Sequence, residues 1–174
     1  MREAKNILLT GAPGVGKTTL ITEIAARLRE LHPVGFFTEE IREGGGRRGF
    51  SLVSLEGGRS VLSHVDCDSP LTVGKYRVNL AAFEAFLDSI FPPGLGAGVL
   101  IIDEIGKMEC ISGKFRELIT ELLDSDKPVI ATIAKRGDAF IEGIKRRHDV
   151  VVYELTRSNR ETMADVLLGA FREG

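Results

Sequence analysis

Cysteine is scarce in this chain, with Cys67 and Cys110 as its two thiols, and their spacing supports neither a metal-ligand cluster nor a disulfide framework. No apolar run approaches the roughly 18 residues that a membrane span requires. An excess of basic charge is also missing. With 23 Lys and Arg against 25 Asp and Glu, the formal net charge is −2 and the pI is near 6.0, whereas a nucleic-acid surface usually shows as a basic domain or stripe. The first strand candidate begins by residue 6, which leaves no room for a signal peptide. These absences point to a cytoplasmic protein with reduced thiols and no membrane span, and they argue against nucleic acid as a partner. Cys110 reads as a buried or half-buried bystander rather than a reactive thiol. Internal repeats and a second domain are absent too, and a monomer is the expectation.

At 174 residues the chain fits a single domain, 1–174, long enough to bury about 70% of its unfolded surface. Short apolar runs alternate with helical patterns. Residues 6–10 read as a strand. Leu20, Ile21, Ile24, Leu28 and Leu31 then recur at helical spacing until His32 and Pro33 stop them. Residues 36–64 read as strand, glycine turn, strand, glycine turn, strand, which is an antiparallel meander; residues 64–75 look like a loop. Asn79 is a plausible N-cap for the next helix. Residues 98–103 form a continuous apolar run, the mark of a strand buried on both faces. A helix near 112–124, a strand over 128–133, a helix over 138–147 and a strand over 150–155 follow. Ser158 and Glu161 have capping-box spacing before a closing helix. The fold class is therefore α/β, a three-layer P-loop sandwich with a mostly parallel sheet and an inserted antiparallel β-meander.

The chemistry is concentrated in Gly11, Ala12, Pro13, Gly14, Val15, Gly16, Lys17 and Thr18, followed by Thr19, between the first strand and the first helix. This is a P-loop, whose glycines let backbone N–H groups wrap a phosphate chain. Lys17 would reach the β- and γ-phosphates, and Thr18 would ligate Mg²⁺. Asp103, at the end of the apolar run, can hold Mg²⁺ with Thr18, mostly through water. Glu104 would then polarise the attacking water, which leans the pair toward hydrolysis over phosphotransfer. Asp103 to Gly106 also fits the D-x-x-G pattern of GTPases, placing Gly106 at the nucleotide, yet no N/T-K-x-D guanine clamp follows. A dinucleotide fold is excluded as well, because the third glycine of G-x-G-x-x-G is missing. Thr132 stands where many P-loop ATPases sense the γ-phosphate; the alternative is an ordinary strand threonine. Cations for the transition state could come from Arg42, Arg47, Arg48, Lys107, Lys135, Arg136, Arg157 or Arg160. The turn at 157–160, ending in Arg160, is placed to contact the base or a phosphate, or merely to cap a helix.

With these residues the chain resembles the cancer-related nucleoside-triphosphatase family of small P-loop proteins, also found in thermophiles. The resemblance rests on residues 9–20, on residues 35–42 with their Thr38-Glu39-Glu40-Ile41-Arg42 segment, on residues 47–50, on residues 99–109 with Asp103-Glu104-Ile105-Gly106-Lys107-Met108-Glu109, on Thr132-Ile133 and on residues 156–160. It implies a RecA-like sheet and slow, Mg²⁺-dependent hydrolysis of ATP, GTP and other nucleoside triphosphates with little discrimination between bases. A nucleotide or polynucleotide kinase built on the same loop, and a nucleotide-gated binding module using the meander, are the alternatives.

Overall fold

Runs of Ile, Leu and Val build the centre of a nine-stranded sheet, seen in a computed structural model that describes residues 5–173. β1 (Asn6–Gly11) lies between β8 (Val129–Ile133) and β9 (Val150–Leu155), with β7 (Val99–Ile105) beyond β8, all parallel. Such strands are covered on both sides, which is why they lack the polar alternation of a half-exposed sheet.

β2 (Pro33–Glu43) joins two kinds of sheet. Its first residues, from Pro33 to Phe36, pair in parallel with β7, while Phe36 to Glu43 pair antiparallel with β3 (Gly46–Ser54). β4 (Arg59–His64), β6 (Tyr76–Val78) and β5 (Thr72–Val73) extend the antiparallel part to the edge, giving the order β5-β6-β4-β3-β2-β7-β8-β1-β9. These antiparallel strands thus continue the main sheet, which is mixed, with a parallel half and an antiparallel half. The β2–β3 turn passes through Gly44 and Gly45 at φ of 58° and 78°, a region that favours glycine. At Gly35 a Cβ would lie 1.7 Å from the Ile101 carbonyl oxygen, so β2 reaches β7 there only as glycine.

Alternate residues of β1 serve the two helical layers. Ile7 and Leu9 pack with Leu20, Ile21 and Ile24 of α1 (Lys17–Arg27) and Leu167 of α5 (Arg160–Glu173). Leu8 faces the other core, where Phe83 of α2 (Leu80–Ile90), Phe115 of α3 (Gly113–Asp124) and Ile141 of α4 (Ala139–Lys145) gather. Asn79 caps α2, accepting from the Ala82 amide at 3.1 Å.

Three local expectations change. The stretch 64–75 expected to be loop contains β5, which pairs with β6; strands of two and three residues are too short for periodicity to register. α1 ends at Arg27 and passes into a 3₁₀ turn at Arg29–Leu31, leaving Leu31 41% exposed rather than in the core. At the start of α5 the Asn159 carbonyl accepts from Thr162 and Met163, while the Ser158 hydroxyl shares a hydrogen bond with Thr156 instead of forming the capping box.

Candidate functional site

The glycine-rich loop leaves β1 at Gly11 and turns into α1 at Lys17. Gly14 and Gly16 have φ of 76° and 109°, which a side chain would resist. At Gly11 a Cβ would fall 2.7 Å from the Leu155 carbonyl oxygen, so the loop sits hard against β9. Gly16 is the N-cap of α1 and brings no side-chain cap. The first-turn amides and the positive end of the helix dipole therefore face outward as an anion site. Lys17 folds back over this loop, its Nζ donating to the carbonyls of Gly11 and Ala12 at 3.1 and 3.3 Å.

Opposite the loop, β7 delivers two consecutive carboxylates with contrasting surroundings. Asp103 is 1% exposed. Its Oδ2 accepts from Thr18 Oγ1 at 2.7 Å and from the Thr38 amide and hydroxyl at 3.3 and 3.2 Å; its Oδ1 accepts from Thr132 Oγ1 at 2.5 Å. One side chain thus ties together α1, β2, β7 and β8. Glu104 has no hydrogen-bond partner among the described residues. Burial, and secondarily the charge of Asp103, push its carboxyl above the usual range, and Lys17 partly offsets this.

Behind Glu104 stands an acid to which the sequence assigned no role. Glu109 lies in a 3₁₀ turn, Glu109–Ile111, and is 6% exposed. Burial first, then the charge of Glu104, push its pKa up to about 8. A Cβ on Gly106 would meet Glu104 Oε1 at 2.8 Å and Glu109 Oε2 at 2.9 Å. Gly106 therefore lets the two carboxyl groups close over it rather than lining the cleft itself.

The loop and Glu104 bound a cleft of about 1040 Å³. One wall is Gly11, Pro13, Gly14, Gly16, Lys17, Thr18 and Thr19; the other is Thr38, Glu40, Arg47, Phe50, Glu104, Ala134, Lys135 and Arg136. Of the other expected residues, Val15 is buried in the core. Ala12 borders a smaller pocket of about 250 Å³ with Thr156 and Arg157. Arg160, the first residue of α5, is exposed and lies outside the lining of both. Thr132 is fully buried, with its hydroxyl committed to Asp103. Thr38 was missed because only the β2–β7 register brings it to Asp103.

The cations sort by their partners. Arg42 and Arg47 pair with Glu40, Arg48 with Asp66 and Glu43, and Lys135 with Glu154. Arg47 also donates to the Tyr76 hydroxyl at 2.7 Å and lies over the Phe50 ring. Lys107, Arg136, Arg157 and Arg160 have no ion-pair partner among the described residues, and of these Arg136 lines the cleft.

No group of three or more His, Cys, Asp or Glu converges as a metal cluster among the described residues. The Thr18 hydroxyl and Asp103 carboxylate nonetheless present hard oxygens 2.7 Å apart, a donor set that suits Mg²⁺, which keeps several waters and takes few protein ligands. Cys110 is 2% exposed with its thiol pushed up to about 12 by burial, which leaves it inert. No helix among the described residues is long and apolar enough to cross a membrane.

Residues 6–168 match the family model described as NTPase. The chain is similar to nucleoside-triphosphatase THEP1 of Thermotoga maritima, 46% identical over 167 residues that cover 95% of each chain. It is also similar to the cancer-related nucleoside-triphosphatase of Homo sapiens, 40% identical over 173 residues covering 90% of this chain and 91% of that one. Among solved structures, the crystal structure of THEP1 from the hyperthermophile Aquifex aeolicus superposes with a TM-score of 0.86 at 37% identity, covering 95% of this chain and 98% of that one.

Proposed function

The chain belongs to the NTPase family, and we propose that it hydrolyses nucleoside 5′-triphosphates to diphosphate and phosphate, with Mg²⁺ and little selection between bases. The observation that carries this reading is the contrast between its neighbouring carboxylates. Asp103 is saturated with donors and fixed; Glu104 has none and faces the cleft. A fixed carboxylate positions, and a free one can take a proton.

The loop amides and Lys17 bind the β- and γ-phosphates, Lys17 exchanging its carbonyl contacts for phosphate oxygens. Thr18 and Asp103 would hold the cation, which when bound neutralises charge across the β- and γ-phosphate oxygens. Glu104 accepts a proton from water as the water oxygen bonds to the γ-phosphorus. The bond from phosphorus to the bridging oxygen breaks, and its electron pair leaves on the β-phosphate. Arg136 supplies positive charge beside the transferring group. The base would lie against Pro13, Thr156 and Arg157, a wall that can stack on any base rather than read its edge.

The test is release of inorganic phosphate from ATP, GTP, CTP and UTP in the absence of an acceptor, with and without Mg²⁺. Stoichiometric phosphate from all four, within about tenfold of one another, and its loss on chelation are expected. Tight binding without turnover would overturn the reading in favour of a nucleotide-gated module.

A further inference from the structure

Past Glu104 the cleft opens into a second chamber of about 290 Å³. The two spaces share Thr38, Phe50, Glu104, Ala134 and Arg136, while Val73, Lys107, Met108 and Glu109 belong to the chamber. Hydrolysis needs room here for one water, whose share of liquid volume is about 30 Å³. The chamber has roughly ten times that. Its cations, Lys107 and Arg136, have no ion-pair partner among the described residues. Its deepest acid, Glu109, is buried, and burial pushes its carboxyl up to about 8. Glu104 stands at its opening, the Thr38 hydroxyl is already engaged with Asp103, and Phe50, Val73, Met108 and Ala134 are apolar.

We propose that this chamber is an oxyanion site that receives the inorganic phosphate formed in the cleft and lets it leave before the nucleoside diphosphate. The proposal rests on the hydrolysis reading above. In an in-line displacement the phosphoryl group moves away from the bridging oxygen and toward the attacking water. With the diphosphate still held by the loop, that direction leads past Glu104, where the chamber opens. Lys107 and Arg136 supply the charge that draws a phosphate dianion outward. Phe50, Val73, Met108 and Ala134 offer no hydrogen bonds and the Thr38 hydroxyl already donates to Asp103, so the ion is held weakly and departs.

Inorganic phosphate titrated into the full chain saturated with ADP and Mg²⁺, followed by calorimetry or ³¹P NMR, tests this without needing turnover. Phosphate should bind while ADP stays bound. Lys107→Glu should weaken that binding about tenfold or more and leave ADP affinity unchanged; Lys107 is exposed, and circular dichroism checks its fold. Val73→Trp, which narrows the chamber outside the main cleft, should slow phosphate release relative to ADP release in stopped flow, with single-turnover cleavage unaltered. Phosphate that binds only after ADP is removed, or equally well in Lys107→Glu, overturns the proposal. A wild-type protein that never cleaves ATP counts against the hydrolysis reading alone, since phosphate binding beside ADP is measured independently of it.

Discussion

The two walls of the cleft are made of different material. The loop wall is backbone, drawn from seven residues within the single stretch 11–19, and its binding power comes from amides and a helix end. The facing wall is side chains, brought from β2, β3, β7 and the turn between β8 and α4. A backbone wall grips whatever carries phosphates, whereas a side-chain wall can distinguish the ground state from the transition state because individual charges can be placed. Substitutions on the first should therefore damage binding and catalysis together, and those on the second should split them.

Lys17 is the exception on the backbone wall, and its loss should be the largest effect. Lys17→Ala removes a charged contact to the transferring phosphate, about 2–4 kcal/mol in the transition state or roughly 30- to 10³-fold in kcat/KM, read by phosphate release on a folded variant. Next, Glu104→Gln should lower kcat by about 10²-fold or more with nucleotide affinity near normal. Asp103→Asn should instead raise the Mg²⁺ requirement along with lowering kcat, because an amide placed among four donors must turn its own NH₂ toward some of them. If both variants fail in the same way, the division between fixed and free carboxylate is wrong.

Two arginines sharpen the comparison further. Arg136→Ala should cost about tenfold or more in kcat, whereas Arg47→Ala, already engaged with Glu40, Tyr76 and Phe50, should chiefly lower Tm, by the equivalent of about 1 kcal/mol. Reversed effects would move the transition-state cation to the meander. Thr38→Val removes one donor from Asp103 and keeps shape, so a several-fold loss in kcat with little change in nucleotide Kd is expected, measured by titration and turnover.

The last effect is read in stability against pH rather than in turnover. The Glu109 carboxyl titrates at about 8 in the folded chain against an ordinary 4.5, so the folded state holds a proton that the unfolded chain has given up. Its contribution is complete below about 4.5 and is lost as pH rises through about 8. Melting followed from acid to pH ~8.5 should show the wild type losing Tm relative to Glu109→Gln across that window. Parallel melting curves at every pH would place Glu109 in contact with water.

The same contrast explains what the sequence could reveal. The loop wall is contiguous, so its spacing displayed it whole, and the apolar run before Asp103 announced the strand that brings the carboxylates. The other wall exists only after strands pair. Thr38 and Asp103 are separated by 65 positions, and nothing in either segment states the β2–β7 register. Glu109 was hidden for another reason: a buried acid and a surface acid are spelled alike, and only packing separates them. Arg136 could not be chosen from eight cations because the choice depends on which of the others already hold partners. The β5–β6 hairpin escaped because strands that short leave no periodic trace.

Gly35 lines neither the cleft nor the chamber beside it, yet it carries a consequence for how this chain can vary. With a Cβ there only 1.7 Å from the Ile101 carbonyl oxygen, every substitution wedges apart the strand pair that hands Thr38 to Asp103. In a saturation library sorted for expression and then for turnover, position 35 should be purged at the first sort, whereas Glu104 variants pass it and vanish only at the second. Heritable constraint on this protein would then have two origins that look identical in a list of invariant positions, one architectural and one chemical, and the order of sorting would tell them apart.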